Sequence, residues 1–255
     1  MQKKFNLLSD SQWEIIKKYL KGHRPRKHSL RTMVNAILYI TRDGGQWRNL
    51  DSGFPKWQSV YYYFRIWTKD GTLGLIMKEL IKMERIRQGR DPYPSAGAID
   101  SQSTKVVAFV SEQTGIDGGK KVNGRKRHLL VDTLGLPMAI EVTAANTPDY
   151  LGGFELLAEA DPEQQRLELI RADQHYAKNF KEAAGWCGIE VETTKRPNSK
   201  QGFVPQKGRW QVERSFSWMN FYRRLSKDYE KLPESSVAFI QLMFINIILA
   251  RLAPN

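Results

Sequence analysis

Residues 127–143 read RHLLVDTLGLPMAIEVT, two short apolar runs joined at Leu134-Gly135-Leu136-Pro137. A Gly-Pro turn between two such runs predicts an antiparallel hairpin, Arg127–Thr133 against Pro137–Thr143. Upstream, Ala98-Ile99-Asp100-Ser101 predicts a short strand. Downstream, the pattern predicts a helix near 150–160, a strand at 167–172, a helix at 177–187, a strand at 189–194 and a long helix from about Trp210.

Three strands, then helix, strand, helix, strand, helix is the order of a ribonuclease-H-like α/β domain: a mixed five-stranded sheet with flanking helices. In that frame three acids occupy telling places. Asp100 lies within the first strand, Asp173 just past the fourth, and Glu213 in the first turns of the last long helix. Neighbouring parallel strands one and four would bring the two aspartates together, and a helix across the sheet can aim Glu213 at the same point. Clustered carboxylates repel unless a cation neutralises them. Hard oxygen ligands suit Mg²⁺ or Mn²⁺. Two such ions, roughly 3.5–4 Å apart, could activate a nucleophile and stabilise the leaving oxygen of a phosphodiester. Taken singly, each acid has a plainer reading: strand-end aspartates usually serve turns, and Glu213 could pair with Arg209, four residues earlier. Asp132, Asp117 and Asp149 read as turn or helix-capping residues, and His128 and His175 as weak candidates for proton transfer.

The chain has 255 residues, 40 basic and 27 acidic, for a net charge of +13. The excess is uneven: residues 1–92 hold 19 basic and 8 acidic residues, a net charge of +11. A basic front end suggests a polyanion partner. Its pattern predicts short helices. The first spans 9–20, with Ser11 and Glu14 as a capping box; the second is capped by Ser29; the third lies near 59–69 and the fourth near 73–87. Short basic helices joined by tight turns fit a helix-turn-helix module with the third as recognition helix. Candidate DNA contacts there are Arg24, Arg26, Lys56, Ser59, Tyr62, Arg65 and Lys69; the alternative is a bundle with a solvated basic face. The Pro/Gly-rich RQGRDPYPSAG marks a boundary near residue 92, dividing a helical DNA-binding domain (1–92) from a catalytic domain (93–255).

A single cysteine, Cys187, excludes a disulfide framework and multi-cysteine zinc sites. The N-terminal stretch has no apolar signal core, and the apolar run 237–249 is broken by Gln241 and Asn246. The expectation is a cytoplasmic, nucleoid-associated protein with no membrane partner and no small-molecule substrate. The 235–252 helix reads as a core or dimer-forming element.

Three stretches carry a specific resemblance: AIDSQSTK, GGKKVNGRKRHLLVDTLGLP and RWQVERSFSWMNFYRRLSKDYEKLPESS. With these, the chain resembles transposases of the insertion sequence five family, of the Asp-Asp-Glu superfamily. The likeness runs over nearly the whole chain and includes the front-end helices. It implies a ribonuclease-H-like core and binding of terminal inverted repeats. It also implies two divalent ions, Mg²⁺ or Mn²⁺, and cleavage and strand transfer on double-stranded DNA, ends and target, by a homodimer or higher multimer. Residue by residue, the catalytic and metal-holding acids it implies are Asp100, Asp173 and Glu213. A catalytically silent DNA-binding protein and a host nuclease of the same fold are the alternatives.

The chain departs from the family pattern in two places. Its second motif is Asp173-Gln174-His175-Tyr176, where the family commonly has glycine. Of the related insertion sequence four pattern only Arg209 and Glu213 match, with Gln206 and Asn220 at the Tyr and Lys positions. Arg224, eleven residues beyond Glu213, would return to the same helix face and substitute in part. The glycine-interleaved basic stretch Lys120, Lys121, Arg125, Lys126 and Arg127 is expected to follow a phosphate backbone. Lys195, Arg196, Lys207 and Arg209 are expected to flank the scissile phosphate.

Overall fold

The computed structural model describes residues 5–20, 27–160, 166–193 and 208–254. Contacts divide the chain into two units. One comprises Met1–Arg90, Met219–Ser226 and Glu234–Asn255, the other Asp91–Trp218 and Lys227–Pro233.

In the first unit, α1 spans Asp10–Ile16, α2 Leu30–Asp43, α3 Trp57–Lys69 and α4 Thr72–Arg87. The capping box of α1 lies two residues before the predicted one. Ser9 Oγ accepts the Gln12 N–H, and the Gln12 side chain accepts the Ser9 N–H. Ser-x-x-Gln and Ser-x-x-Glu overlap in this sequence, and the structure forms the first. Ser29 caps α2 as predicted. Gly44 ends α2 at φ +80°, and a Cβ there would sit 2.7 Å from Arg223 Cβ, so both backbone and space demand glycine.

The last helix, α8 (Pro233–Leu252), is apolar all round, and most of it packs in this first unit rather than with the sheet. Phe239 stacks on Phe64 with ring centroids 4.8 Å apart, and Trp47 meets both rings. Burying each such ring contributes about 2–3 kcal/mol. The contacts place an edge between the units at Arg90/Asp91, and residues 219–226 and 234–255 fall on the front side of it. By length and composition α8 could cross a membrane, but its residues are largely buried in this unit.

The second unit is built on one mixed sheet. Strand β1 (Ala96–Lys105) pairs antiparallel with β3 (Val122–Asp132), and β3 pairs with β4 (Pro137–Ala144). On its other side β1 runs parallel to β5 (Leu169–Ala172), which runs parallel to β6 (Glu190–Thr193). The order β4-β3-β1-β5-β6 is the ribonuclease-H-like arrangement expected from the sequence. Asp132 closes the β3–β4 turn, its Oδ1 accepting the Leu134 and Leu136 N–H groups at 2.8 Å each. Helices α5 (Asp149–Glu159) and α6 (Asn179–Trp186) cover a core of Ile99, Leu130, Leu156, Ile170 and Phe180.

Two details differ from the sequence reading. Beyond the five expected strands there is a sixth, β2 (Gly115–Asp117), paired with β3. Asp117 fixes it, accepting from the Gly119 and Lys120 N–H groups and from the Ser103 hydroxyl of β1. The Glu213 helix is short: α7 covers only Trp210–Met219. Arg224 therefore does not share its face. It lies in a separate 3-10 turn, Arg223–Leu225, in the first unit.

Candidate active site

Successive residues of a strand face opposite ways, so with Ile99 in the core Asp100 is turned to the other face of β1. Along the parallel β1–β5 pair, Ala96 lies opposite Leu169 and Ala98 opposite Arg171. Carried two residues further, that register sets Asp100 level with Asp173, on strands about 4.8 Å apart. Asp173 caps the 3-10 turn Gln174–Tyr176, its Oδ1 accepting the His175 N–H at 2.9 Å. That cap fixes the loop without the glycines the resemblance would place there.

Asp100 is held by two donors. Its Oδ2 accepts from Arg209 Nη2 at 2.9 Å and its Oδ1 from the Ser101 N–H at 2.7 Å. Burial pushes the Asp100 carboxyl above the usual aspartate range. The Arg209 guanidinium and the Ser101 N–H pull it back, and the nearby Asp173 charge adds to the rise. Tyr176 is fully buried, and its phenol is raised by that burial and by the charges of Asp149, Asp100 and Asp173 together.

A fourth carboxylate, which the sequence reading left as a helix cap, also belongs here. Asp149, the first residue of α5, accepts on Oδ1 from Lys126 Nζ at 2.8 Å and from Ser101 Oγ at 2.9 Å. His175 Nδ1 lies 3.1 Å from Asp173 Oδ2 and 3.9 Å from Asp149 Oδ2. Lys126 also donates to the Thr147 carbonyl at 2.7 Å. Burial pushes the Asp149 carboxyl up, but the Lys126 hydrogen bond and charge and the Ser101 hydroxyl outweigh it and hold the group below its ordinary value. His128 Nε2 shares a hydrogen bond of 2.9 Å with Thr143 Oγ1. It is buried beneath Gly152, where a Cβ would lie 2.3 Å from the ring, and desolvation lowers its imidazole to about 4. It is neutral at physiological pH.

Glu213 lies in the first turn of α7, and its Oε2 is buried with no hydrogen-bond partner among the described residues. A buried carboxylate oxygen left so is costly unless a cation or donor reaches it. The donor chemistry of Asp100, Asp173 and Glu213 therefore fits a divalent ion: hard anionic oxygens, two mutually repelling and one unsatisfied. As placed, however, no three His, Cys, Asp or Glu side chains among the described residues gather closely enough to hold one. The cation on Asp100 here is the Arg209 guanidinium.

The basic residues expected at DNA sort differently. Lys56, Lys120 and Lys121 are exposed. Arg125 is not: fully buried, it pairs with buried Asp228 at 3.3 Å and donates to the carbonyls of Glu112, Glu230 and Lys231. Arg127 is buried too and donates to the Lys227 carbonyl. Both are corrected to structural roles, because a side chain enclosed by protein cannot reach a phosphate. Lys126 and Arg209 are spent on Asp149 and Asp100. Arg65 is mostly covered and donates to Ser235 Oγ at 3.0 Å, which ties α3 to α8. Arg224 is buried over the Phe239 ring and donates to the Gly45 carbonyl at 3.0 Å. Arg24, Arg26, Lys195, Arg196 and Lys207 lie outside the described residues.

Comparison with known proteins gives the frame for this geometry. A family model described as a putative transposase of the IS4/5 family matches residues 8–77, and the transposase DDE domain matches residues 92–249. A putative transposase for insertion sequence element IS402 of Burkholderia cepacia is 31% identical over 127 residues, 47% of this chain and 60% of that protein. An uncharacterized protein, y4sN, of Sinorhizobium fredii is 29% identical over 79 residues, 29% of this chain and 63% of that one. The chain thus spans less than two thirds of either curated relative. The crystal structure of the Mos1 strand transfer complex aligns over 91% of this chain and 78% of that one, at 13% identity and a TM-score of 0.32, too distant a likeness to define a fold. With the transposase DDE domain model matched across residues 92–249, more than half of its length, this chain belongs to the family of transposases with a DDE domain.

Proposed function

We propose that the chain is a DNA transposase that binds the terminal inverted repeats of its own insertion sequence and catalyses metal-dependent cleavage and strand transfer. What supports this reading is the parallel β1–β5 register, which continued by two residues would set Asp100 level with Asp173, together with a third acid, Glu213, that keeps a buried, unsatisfied oxygen. A DDE domain generally implies a divalent metal; Mg²⁺ or Mn²⁺, two ions to a site, is our finer reading. Asp100, Asp173 and Glu213 would hold them. When bound, such ions supply Lewis-acid polarisation of the phosphodiester.

The chain's own residues do the rest. Arg209 holds Asp100 in one orientation through its guanidinium. Exposed Lys120 and Lys121 draw the backbone by charge alone, and Lys56 at the start of α3 does the same for the front unit. The acting species is a homodimer or higher multimer on double-stranded DNA, in the bacterial cytoplasm at the nucleoid.

The test is a strand-transfer reaction on a labelled duplex carrying the inverted repeat that brackets the gene, with Mg²⁺ present. The expected result is a cut end joined to target DNA. Asp100→Asn, Asp173→Asn and Glu213→Gln should each lower cleavage by about a thousandfold or more, roughly 4 kcal/mol of transition-state stabilisation, while duplex binding persists. Hydrolysis with no joined product would identify a nuclease instead. Binding without any cutting by the unaltered chain would identify a silent DNA-binding protein.

A further inference from the structure

We propose that Asp149 is a positioning residue of this site, acting with Lys126 and Ser101 to fix where Asp100 and Asp173 stand. The proposal rests on the transposase reading above and deepens it. One Asp149 oxygen accepts from both Lys126 Nζ (2.8 Å) and Ser101 Oγ (2.9 Å). Ser101 also gives its backbone N–H to Asp100 Oδ1 at 2.7 Å. A single residue thus stands between Asp149 and the first acid. On the other side His175 stands between Asp149 and the second, 3.9 Å from Asp149 Oδ2 and 3.1 Å from Asp173 Oδ2.

The sheet explains why this arrangement is a brace rather than a surface contact. Ser101 and Asp100 are successive residues of β1, so the hydroxyl and the carboxylate leave opposite faces of the strand. Asp149 therefore grips β1 from behind, on the face covered by α5, while Asp100 looks the other way. Lys126, on the neighbouring β3, supplies the counter-charge and is itself anchored on the Thr147 carbonyl. Its side chain is 9% exposed and that of Asp149 17%. An ion pair so enclosed is held in one geometry, which an exposed pair is not. Outer partners of this kind orient the groups that touch the reacting atoms, and losing one commonly costs 10–100-fold in activity.

Two sets of variants test the proposal. Ser101→Ala removes one hydroxyl and leaves the ion pair intact. Lys126→Met with Asp149→Asn removes both charges together, so no uncompensated charge is left buried. Single-turnover cleavage of the repeat-bearing duplex is measured beside duplex affinity in metal-free buffer and thermal melting. The expected result is a cleavage rate about 10–100-fold lower in both proteins, with duplex affinity within about twofold of the unaltered chain and melting near normal. A merely structural role predicts that the rate follows melting, so a well-folded variant that cuts at the normal rate overturns the proposal. If the double variant fails to fold, Ser101→Ala alone decides. If the unaltered chain cuts nothing, the transposase reading itself falls and this proposal with it; normal cutting by the unaltered chain and the variants alike removes only the role of Asp149.

Discussion

Arg125→Met separates the two readings of the basic stretch on β3. If the residue reached DNA, its loss would weaken binding evenly across sequences and lower the slope of log affinity against log salt by about one. The structure predicts a different loss. Arg125 is wholly enclosed; it pairs with Asp228, itself 1% exposed, and donates to three carbonyls at 2.7–2.8 Å. Removing the guanidinium strands a buried carboxylate, and breaking a buried pair costs about 3–5 kcal/mol. Three carbonyls left short of a donor add to that, so we expect about 4 kcal/mol or more, a large share of a typical domain's stability. Urea unfolding followed by tryptophan fluorescence measures it as a drop in midpoint. Adding Asp228→Asn should recover part of the loss. The neutral side chain can still accept the Glu230 N–H that Asp228 takes at 2.9 Å, and the carboxylate that lost Arg125 is no longer charged. An Arg125→Met protein with an unchanged midpoint and a shallower salt slope would refute the assignment.

Glu141 is raised to about 7 by burial and by the charges of Glu159 and Glu155. The unfolded chain, near 4.5, then releases its proton first, so this contribution is intact at pH 4.5 and lost as pH rises through 7. Glu141→Gln mimics the protonated form and should stabilise the protein by about 1–2 kcal/mol at pH 8, allowing for partial exposure, with no gain at pH 4.5; equal melting shifts at both would contradict it. Gly44→Ala forces a Cβ into a left-handed position against Arg223 and should cost about 2–3 kcal/mol by urea titration, and a neutral result would mean the turn relaxes freely. Methionine at Lys56, Lys120 or Lys121 should leave melting unchanged and lower the salt slope of duplex binding by about one each, and an unaltered slope would remove that lysine from the interface.

The hairpin at 127–143 was legible because a local pattern decides it: a turn holding Gly135 between two apolar runs. Asp132 was legible for the same reason, its turn partners lying only two and four residues on. Asp149 was not. Its partners Lys126 and Ser101 are 23 and 48 residues away, and a Pro-Asp pair at a helix start has an adequate local explanation already. Arg125 and Arg127 misled for a related reason. A run of basic residues looks solvated until the chain about a hundred residues later lays the carbonyls of Lys227, Glu230 and Lys231 over it. Arg224 was assigned by helical arithmetic that assumed a helix continuing past Met219, where α7 in fact stops. The all-round apolarity of α8 announced burial but could not say among which helices.

That last point bears on biogenesis. Ile16, Val34, Trp67 and Ile76, from early in the chain, meet Leu242 and Ile245 from its final helix around one point. During translation the first four helices leave the ribosome with their apolar faces uncovered, and the intervening sheet is synthesised before the piece that closes them arrives. Helices α1–α4 precede the sheet in the chain, yet their shared core includes residues of α8, which follows it. A message cut short before codon 233 should yield a product open to proteases and chaperones instead of a small autonomous module.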